Sequence, residues 1–187
     1  MGFLTRILQV LLATVLAVTA VLWFAARRAD RGAIQEQVNI ARPPGAVFRW
    51  ISSEELGRRW ISGLIELKRA EGASGKIPDF RLVELINGQR TAMSVKIIRV
   101  IPNQELDLQI TSLEKSDGGF SSQADFKLIS DGDYTRLNFH SQTQFFSLRD
   151  QILEPIWTTA ARNKMADDLV RLKNAMEAEP ANSPNLR

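Results

Sequence analysis

The chain has 187 residues, of which 44% are hydrophobic and 24% charged, as in an ordinary folded protein with one main domain. Its net charge is only +3, and acidic and basic residues alternate along its length, so we expect no nucleic-acid partner. Because there is no cysteine and a single histidine, disulfides, thiolate catalysis and Cys- or His-rich metal sites are excluded, and we expect neither a metal nor a cofactor.

The N-terminal part contains a long uncharged segment, residues 7–26, after a tail of residues 1–6. As a helix it would be about 30 Å long, which predicts a transmembrane helix. Trp23 and Phe24, followed by arginines, are typical of a membrane interface. The surplus of arginine after the segment predicts a single-pass protein of the plasma or inner membrane with its domain in the cytoplasm, a periplasmic domain being the alternative. A cleaved secretory signal is less favoured, because cleavage after Ala20 would leave a hydrophobic terminus.

Residues 27–33 are predicted to form a linker, and the elements of a domain at 34–179 follow. Alternation from Val38 to Ile40 predicts a strand, which the Pro43-Pro44 pair ends. Apolar residues at three- and four-residue spacings then predict a short helix begun by Pro44. Ser53 is the expected N-cap of a second short helix.

Beyond residue 64, apolar and polar residues alternate in runs that end at turn signals. These are Asn87-Gly88, Pro102-Asn103, Asp117-Gly118-Gly119 and Asp131-Gly132. Successive hairpins predict an antiparallel meander with one buried and one solvated face.

The last predicted element is a long amphipathic helix. Ser147 and Asp150 resemble a capping box at its start, and Pro155 is expected to kink or divide it. Its apolar stripe comprises Leu148, Ile152, Ile156, Trp157, Met165, Leu169, Leu172 and Met176. The helix is expected to end at Glu179, before a disordered tail at residues 180–187.

The order of elements resembles the START-like superfamily, also called SRPBCC, helix-grip or polyketide cyclase-like proteins. The resemblance rests on Ile40-x-x-Pro43-Pro44-x-x-Val47-Phe48, Trp50-Ile51-Ser52, Trp60, Tyr134-Thr135-Arg136-Leu137 and Asp168-Leu169-x-x-Leu172-Lys173-x-x-x-Glu177. Arg42 and Ser53 depart from it, where alanine and aspartate are usual. The resemblance implies an α+β helix-grip fold, a curved antiparallel sheet of about seven strands wrapped on the C-terminal helix, and a cavity for an apolar ligand.

Side chains on the inward positions of this fold are the candidate cavity lining. They are Trp60, Met93, Val95, Ile97, Leu108, Ile110, Phe126, Leu128, Leu137, Phe139, Trp157 and Met165. Arg99, Ser141 and Thr143 are candidate polar contacts to a ligand head group. Alternation turns His140 toward solvent, so no catalytic residue is predicted, and Asp167-Asp168 is interpreted as part of a helix face and not as a pair of metal ligands.

Three functions are compatible with these features. The leading hypothesis is a membrane-anchored binder of a lipid, quinone or polyketide-like molecule. The alternatives are an enzyme of the polyketide cyclase or hydrolase kind, and a membrane-tethered interaction module without a ligand. The sequence favours the binder, because it shows no convincing acid or base for the cavity and no close pair of carboxylates on inward positions.

Overall fold

The structure is a computed structural model that describes residues 11–17, 19, 31–69, 79–86, 88–113 and 118–180. The chain divides into two compact units, residues 1–31 and residues 32–187, which are described separately. The predicted tail at residues 1–6, most of the linker and the C-terminal tail after residue 180 lie outside the described residues.

The first unit corrects the predicted localisation. Of the segment at residues 7–26, the structure describes residues 11–17 and 19, which are helical and exposed, while the rest lies outside the described residues. Among the described residues, no helix has both the length and the apolar character needed to span a membrane. This finding contradicts the prediction of a single-pass membrane protein.

The second unit contains an antiparallel sheet and three helices within its described residues. The strands are β1 (Ala33–Ile40), β2 (Leu64–Arg69), β3 (Asp79–Ile86), β4 (Gln89–Ile101), β5 (Glu105–Ser112), β6 (Phe120–Asp131) and β7 (Tyr134–Phe145). The helices are α1 (Pro44–Ser52), α2 (Glu54–Trp60) and α3 (Leu148–Ala178).

The seven strands lie in the order β1-β7-β6-β5-β4-β3-β2, and every neighbouring pair is antiparallel. Helices α1 and α2 carry the chain from β1 at one edge to β2 at the other, and a meander returns it to β7. Gly88, Asn103 and Gly132 have φ values of 79°, 62° and 61°, as the turn signals require. The α+β architecture with a seven-stranded antiparallel sheet and a long C-terminal helix is therefore confirmed.

The two short helices begin where the sequence predicts. Pro44 is the first residue of α1, a position where its missing N–H costs nothing, and Trp50 on this helix is fully buried. Ser53 caps α2, because its Oγ accepts a hydrogen bond from Leu56 N at 3.3 Å.

Helix α3 runs through Pro155 without interruption, so the predicted division of the helix is not observed. Ser147 caps it by accepting from Asp150 N at 3.0 Å. Glu154, just before the proline, is buried, and its Oε1 accepts from Gly32 N at 2.7 Å and from Thr158 Oγ1 at 2.8 Å. The bond from Gly32 holds the helix to the residue before β1, and the bond from Thr158 lies within the helix.

The predicted apolar stripe of α3 is buried only in its second half. Leu169, Leu172 and Met176 are fully buried, whereas Leu148, Ile152 and Ile156 are exposed. Ile156 and Met165 are nine residues apart, and at about 100° per residue this places them about 180° apart around the helix. The two halves therefore face different directions.

The core consists of two hydrophobic clusters. The larger one joins β1, β6, β7, α1 and α2 to the second half of α3, and includes Trp50, Leu137 and Leu172. The smaller one lies on β3 and β4 and contains Leu82, Met93 and Val95. Leu108 and Ile110 on β5 pack against both clusters. A cavity lies where the two clusters meet.

Candidate functional site

A cavity of about 180 Å³, partly open to solvent, lies between the inner face of the sheet, α2 and α3. Its wall includes Phe126 and Trp60 from the larger cluster and Leu82 from the smaller one. Phe126 packs edge-on against Trp60, with ring centroids 6.5 Å apart. The long helix thus rests on the sheet without filling the space beneath it.

Eight of the twelve predicted lining residues do line this cavity: Trp60, Val95, Ile97, Leu108, Ile110, Phe126, Phe139 and Met165. Leu128 and Leu137 lie instead in the packed core, on strands against which α1 packs. Met93 belongs to the smaller cluster, and Trp157 is 38% exposed on the first half of α3. Alternation identified the inward face of the sheet, but not which part of that face is left uncovered.

Helix α1, the residue after α2 and strands β2, β3, β5 and β6 supply further apolar lining that was not predicted from the sequence. The added apolar residues are Ile51, Ile61, Leu67, Phe80, Leu82, Leu106 and Ala124. The alternation of Phe80, Leu82 and Glu84 on β3 was the signal that could have revealed part of this wall.

Among the described residues, four ionisable ones line the cavity. Three of them lie together, Glu84 on β3 and Lys164 and Asp168 on α3, and are here called the acid–lysine cluster. The fourth is Glu54 at the start of α2. Lys164 Nζ lies 2.6 Å from Asp168 Oδ2 and 3.5 Å from Glu84 Oε2. Asp168 is 1% exposed and Glu84 is 8% exposed, so both carboxyls lie in the interior. Asp168 thus lies on a face of α3 that is turned to the interior.

The backbone beside the cavity holds the cluster in place. Asp168 Oδ1 accepts a hydrogen bond from Ser62 N at 2.9 Å, in the turn between α2 and β2. The next residue, Gly63, has φ 71°, and its carbonyl accepts from Leu85 N at 2.8 Å. This turn therefore connects the carboxyl of Asp168 to strand β3, which carries Glu84.

Burial raises the pKa of Glu84 above its ordinary value of 4.5. The ammonium of Lys164 opposes this effect and the charge of Asp168 adds to it. Burial therefore favours the protonated form of this carboxyl, which can donate a hydrogen bond to a bound oxygen.

The three candidate polar contacts lie elsewhere. A β-bulge between Ile97 and Arg99 reverses the alternation of β4, and Arg99 therefore pairs on the outer face with Asp107 at 2.9 Å and Glu105 at 2.6 Å. These carboxylates raise the pKa of Arg99, the Asp107 hydrogen bond most. Ser141 is buried, and Thr143 Oγ1 donates to Ser122 Oγ at 2.9 Å, but neither lines the cavity.

His140 lies on the outer face of β7, where alternation places it. Its Nδ1 is 3.2 Å from Asp125 Oδ1, and its side chain is 44% exposed. The imidazole does not line the cavity, so the ionisable groups that do so are those of the acid–lysine cluster and Glu54.

The fold is that of several solved structures. The Zhui aromatase/cyclase from Streptomyces sp. R1128 matches with a TM-score of 0.65 at 14% identity, covering 81% of this chain and 98% of its own. Ara h 8.0201 matches with a TM-score of 0.61 at 15% identity, covering 79% and 98%. The protein TTHA0849 from Thermus thermophilus matches with a TM-score of 0.61 at 16% identity, covering 81% and 99%.

At these identities the likeness shows the fold, which is the helix-grip fold. No protein-family model matches the sequence. No curated protein matches it significantly.

Proposed function

We propose that this protein is a member of the START-like superfamily and binds a small hydrophobic molecule between its sheet and α3. The observation that carries the proposal is a cavity of about 180 Å³ with an almost wholly apolar wall and a buried polar cluster at one place in it. Apolar pockets with a few convergent polar groups are typical of small-molecule sites.

The size of the cavity limits the ligand that can enter without rearrangement. An engineered apolar cavity of about 150 Å³ binds benzene, so this one accommodates a molecule, or part of one, with a single ring. Burying about 200 Å² of apolar surface contributes about 5 kcal/mol before association costs. Since association costs reduce this sum, a ligand of this size is expected to bind weakly, with a Kd no lower than about the millimolar range.

Titration of the full chain with toluene, followed by NMR at the Trp60 indole N–H, tests the proposal, because Trp60 lines the cavity. We expect a chemical-shift change in the wild type that is lost in Ile110→Phe, which fills the cavity from β5. Ile98→Phe is the matched control, since Ile98 is exposed on β4, and it should keep the response. The proposal is contradicted if toluene produces no chemical-shift change in the wild type.

An enzyme of the cyclase kind is a second candidate, favoured by one observation. Glu84 is a cavity carboxyl whose pKa is raised by burial, which suits it to remove a proton next to a carbonyl group. The test is hydrogen–deuterium exchange of phenylacetone in D₂O, followed by NMR. Exchange that is accelerated by wild type and not by Glu84→Gln would support catalysis, and exchange at the buffer rate would contradict it.

A further inference from the structure

We infer that the acid–lysine cluster selects ligands whose polar group is an uncharged hydroxyl or carbonyl, and that it rejects carboxylates. This inference rests on the proposed function and adds the chemical class of the ligand. It follows from the charges within the cluster and from the atoms that remain able to bind.

The charges of the cluster leave no surplus positive charge for an anion. The single ammonium of Lys164 is matched by Asp168 at 2.6 Å, and Glu84 adds a second carboxyl at 3.5 Å. The cluster is therefore neutral when Glu84 is protonated and carries one negative charge when it is ionised. A carboxylate placed beside it would face two carboxyls and one ammonium whose charge is already balanced.

The hydrogen bonds within the cluster show which atoms can meet a ligand. Both oxygens of Asp168 are used, Oδ1 by Ser62 N and Oδ2 by Lys164. Among the described residues, Lys164 is the polar partner of the Glu84 carboxyl, which also lines the cavity. Glu84 is thus the group that can exchange a hydrogen bond with a ligand oxygen, and Lys164 lines the cavity beside it.

An uncharged oxygen fits this arrangement better than an ion of either sign. A hydroxyl can both donate to Glu84 and accept from Lys164, and a carbonyl can accept from Lys164 or from protonated Glu84. An ion would have to lose its hydration shell in an apolar cavity. An anion would gain no unmatched positive charge there, and a cation would gain an unmatched negative charge only where Glu84 is ionised. A cationic amine would in addition lie against the ammonium of Lys164.

The test compares ligands of one shape with different polar groups. Full-length protein at pH 7 is titrated with toluene, p-cresol, p-toluate and 4-methylbenzylamine, and the Trp60 indole N–H is followed by NMR, because Trp60 lines the cavity. We expect p-cresol to bind about tenfold more tightly than toluene, the effect of one net hydrogen bond. Both ions should bind at least about tenfold more weakly than p-cresol.

The outcomes separate this inference from the proposed function. If none of the four compounds binds, the proposed function is contradicted. If toluene binds but p-toluate or the amine equals or exceeds p-cresol, the inference alone is overturned.

Variants then assign the selection to the cluster. Glu84→Gln removes a carboxyl and should narrow the difference between p-cresol and p-toluate. The matched control is Glu66→Gln, on neighbouring β2, where Glu66 pairs at 3.7 Å with Lys68 and does not line the cavity. It should leave the ranking unchanged. An unchanged ranking in Glu84→Gln would contradict the role given to Glu84.

Discussion

Lys164 Nζ and Asp168 Oδ2 lie 2.6 Å apart, one turn from each other on α3, with the Asp168 side chain almost fully buried. The same Asp168 carboxyl accepts the backbone N–H of Ser62, so one side chain connects the long helix to the turn that leads into β2. A buried ion pair with its remaining lone pairs satisfied is costly to break, because the group left behind keeps its charge and loses its partner. The pair therefore matters both for stability and for the chemistry of the cavity.

Asp168→Asn should lower the free energy of unfolding by about 2–3 kcal/mol, because it leaves Lys164 without its nearest counter-charge. Urea unfolding measures the loss. Asp167→Asn is the matched control on the same helix, and since Asp167 is exposed, a change within about 0.5 kcal/mol is expected. Equal effects of the two substitutions would show that the buried pair does not stabilise the fold.

The raised pKa of Glu84 predicts how stability changes with pH. The native state holds this proton more tightly than the unfolded chain, so the stabilising contribution is present below pH 4.5 and is lost as pH rises through the raised pKa. Glu84→Gln cannot ionise, and its free energy of unfolding relative to wild type should therefore increase between pH 4.5 and 8. Urea unfolding across this range measures the difference, and a difference that is constant with pH would contradict the shift.

Glu177 should show the opposite dependence. A hydrogen bond from Ala41 N at 2.9 Å lowers the pKa of its carboxyl below 4.5. Its contribution is therefore present above pH 4.5 and is lost as pH falls through the lowered pKa. The loss of unfolding free energy in Glu177→Gln relative to wild type should therefore become smaller as the solution is acidified, in the same unfolding series. A loss that becomes larger on acidification would refute this assignment.

A comparison of Gly63 with Gly88 distinguishes the cost of steric crowding from the cost of a strained backbone. Both have positive φ, 71° and 79°, but a Cβ on Gly63 would lie 2.8 Å from Leu85 O, while one on Gly88 would meet nothing within 4 Å. Gly88→Ala should cost about 1 kcal/mol and Gly63→Ala about 2–4 kcal/mol. Thermal unfolding compares them. Similar losses of stability in the two variants would mean that the turn beside Asp168 can shift to accommodate the added methyl group.

Arg42, which stands where the START-like pattern usually has alanine, contacts the end of α3. Its Nη2 donates to Glu177 O at 3.1 Å and Glu179 O at 2.7 Å, which places a positive charge at the C-terminus of α3. Arg42→Ala should therefore lower stability by about 1–2 kcal/mol. The exposed Arg90 on β4 provides the control, and Arg90→Ala should change the unfolding midpoint little. Equal midpoints for the two variants would contradict this role.

The architecture of the second unit could be predicted because its signals are local. Turn residues and two-residue alternation identified the meander, and Ser53 and Ser147 identified the starts of two helices. At residues 7–26 the same kind of local signal, an uncharged segment with aromatic and arginine residues at its end, predicted a membrane span that the described residues do not support.

The chemistry of the cavity could not be predicted, because it depends on contacts between distant parts of the chain. Glu84 and Asp168 lie far apart in sequence and meet only when α3 crosses the sheet. Arg99 was assigned to the wrong face because a single extra residue in β4 reverses the alternation that follows. Trp157 lies outside the cavity because the apolar stripe of α3 changes direction between the two halves of the helix, which the sequence pattern does not show.

Intermolecular NOEs between p-cresol and the methionine methyl groups test most directly whether a ligand occupies the space under α3. Met165 lines the cavity, whereas Met176 is fully buried in packed core on the same helix. We predict NOEs from the ring protons to the Met165 methyl group and none to that of Met176. Saturating p-cresol that gives no NOE to Met165, or gives NOEs only to exposed residues such as Leu148, would contradict a binding cavity.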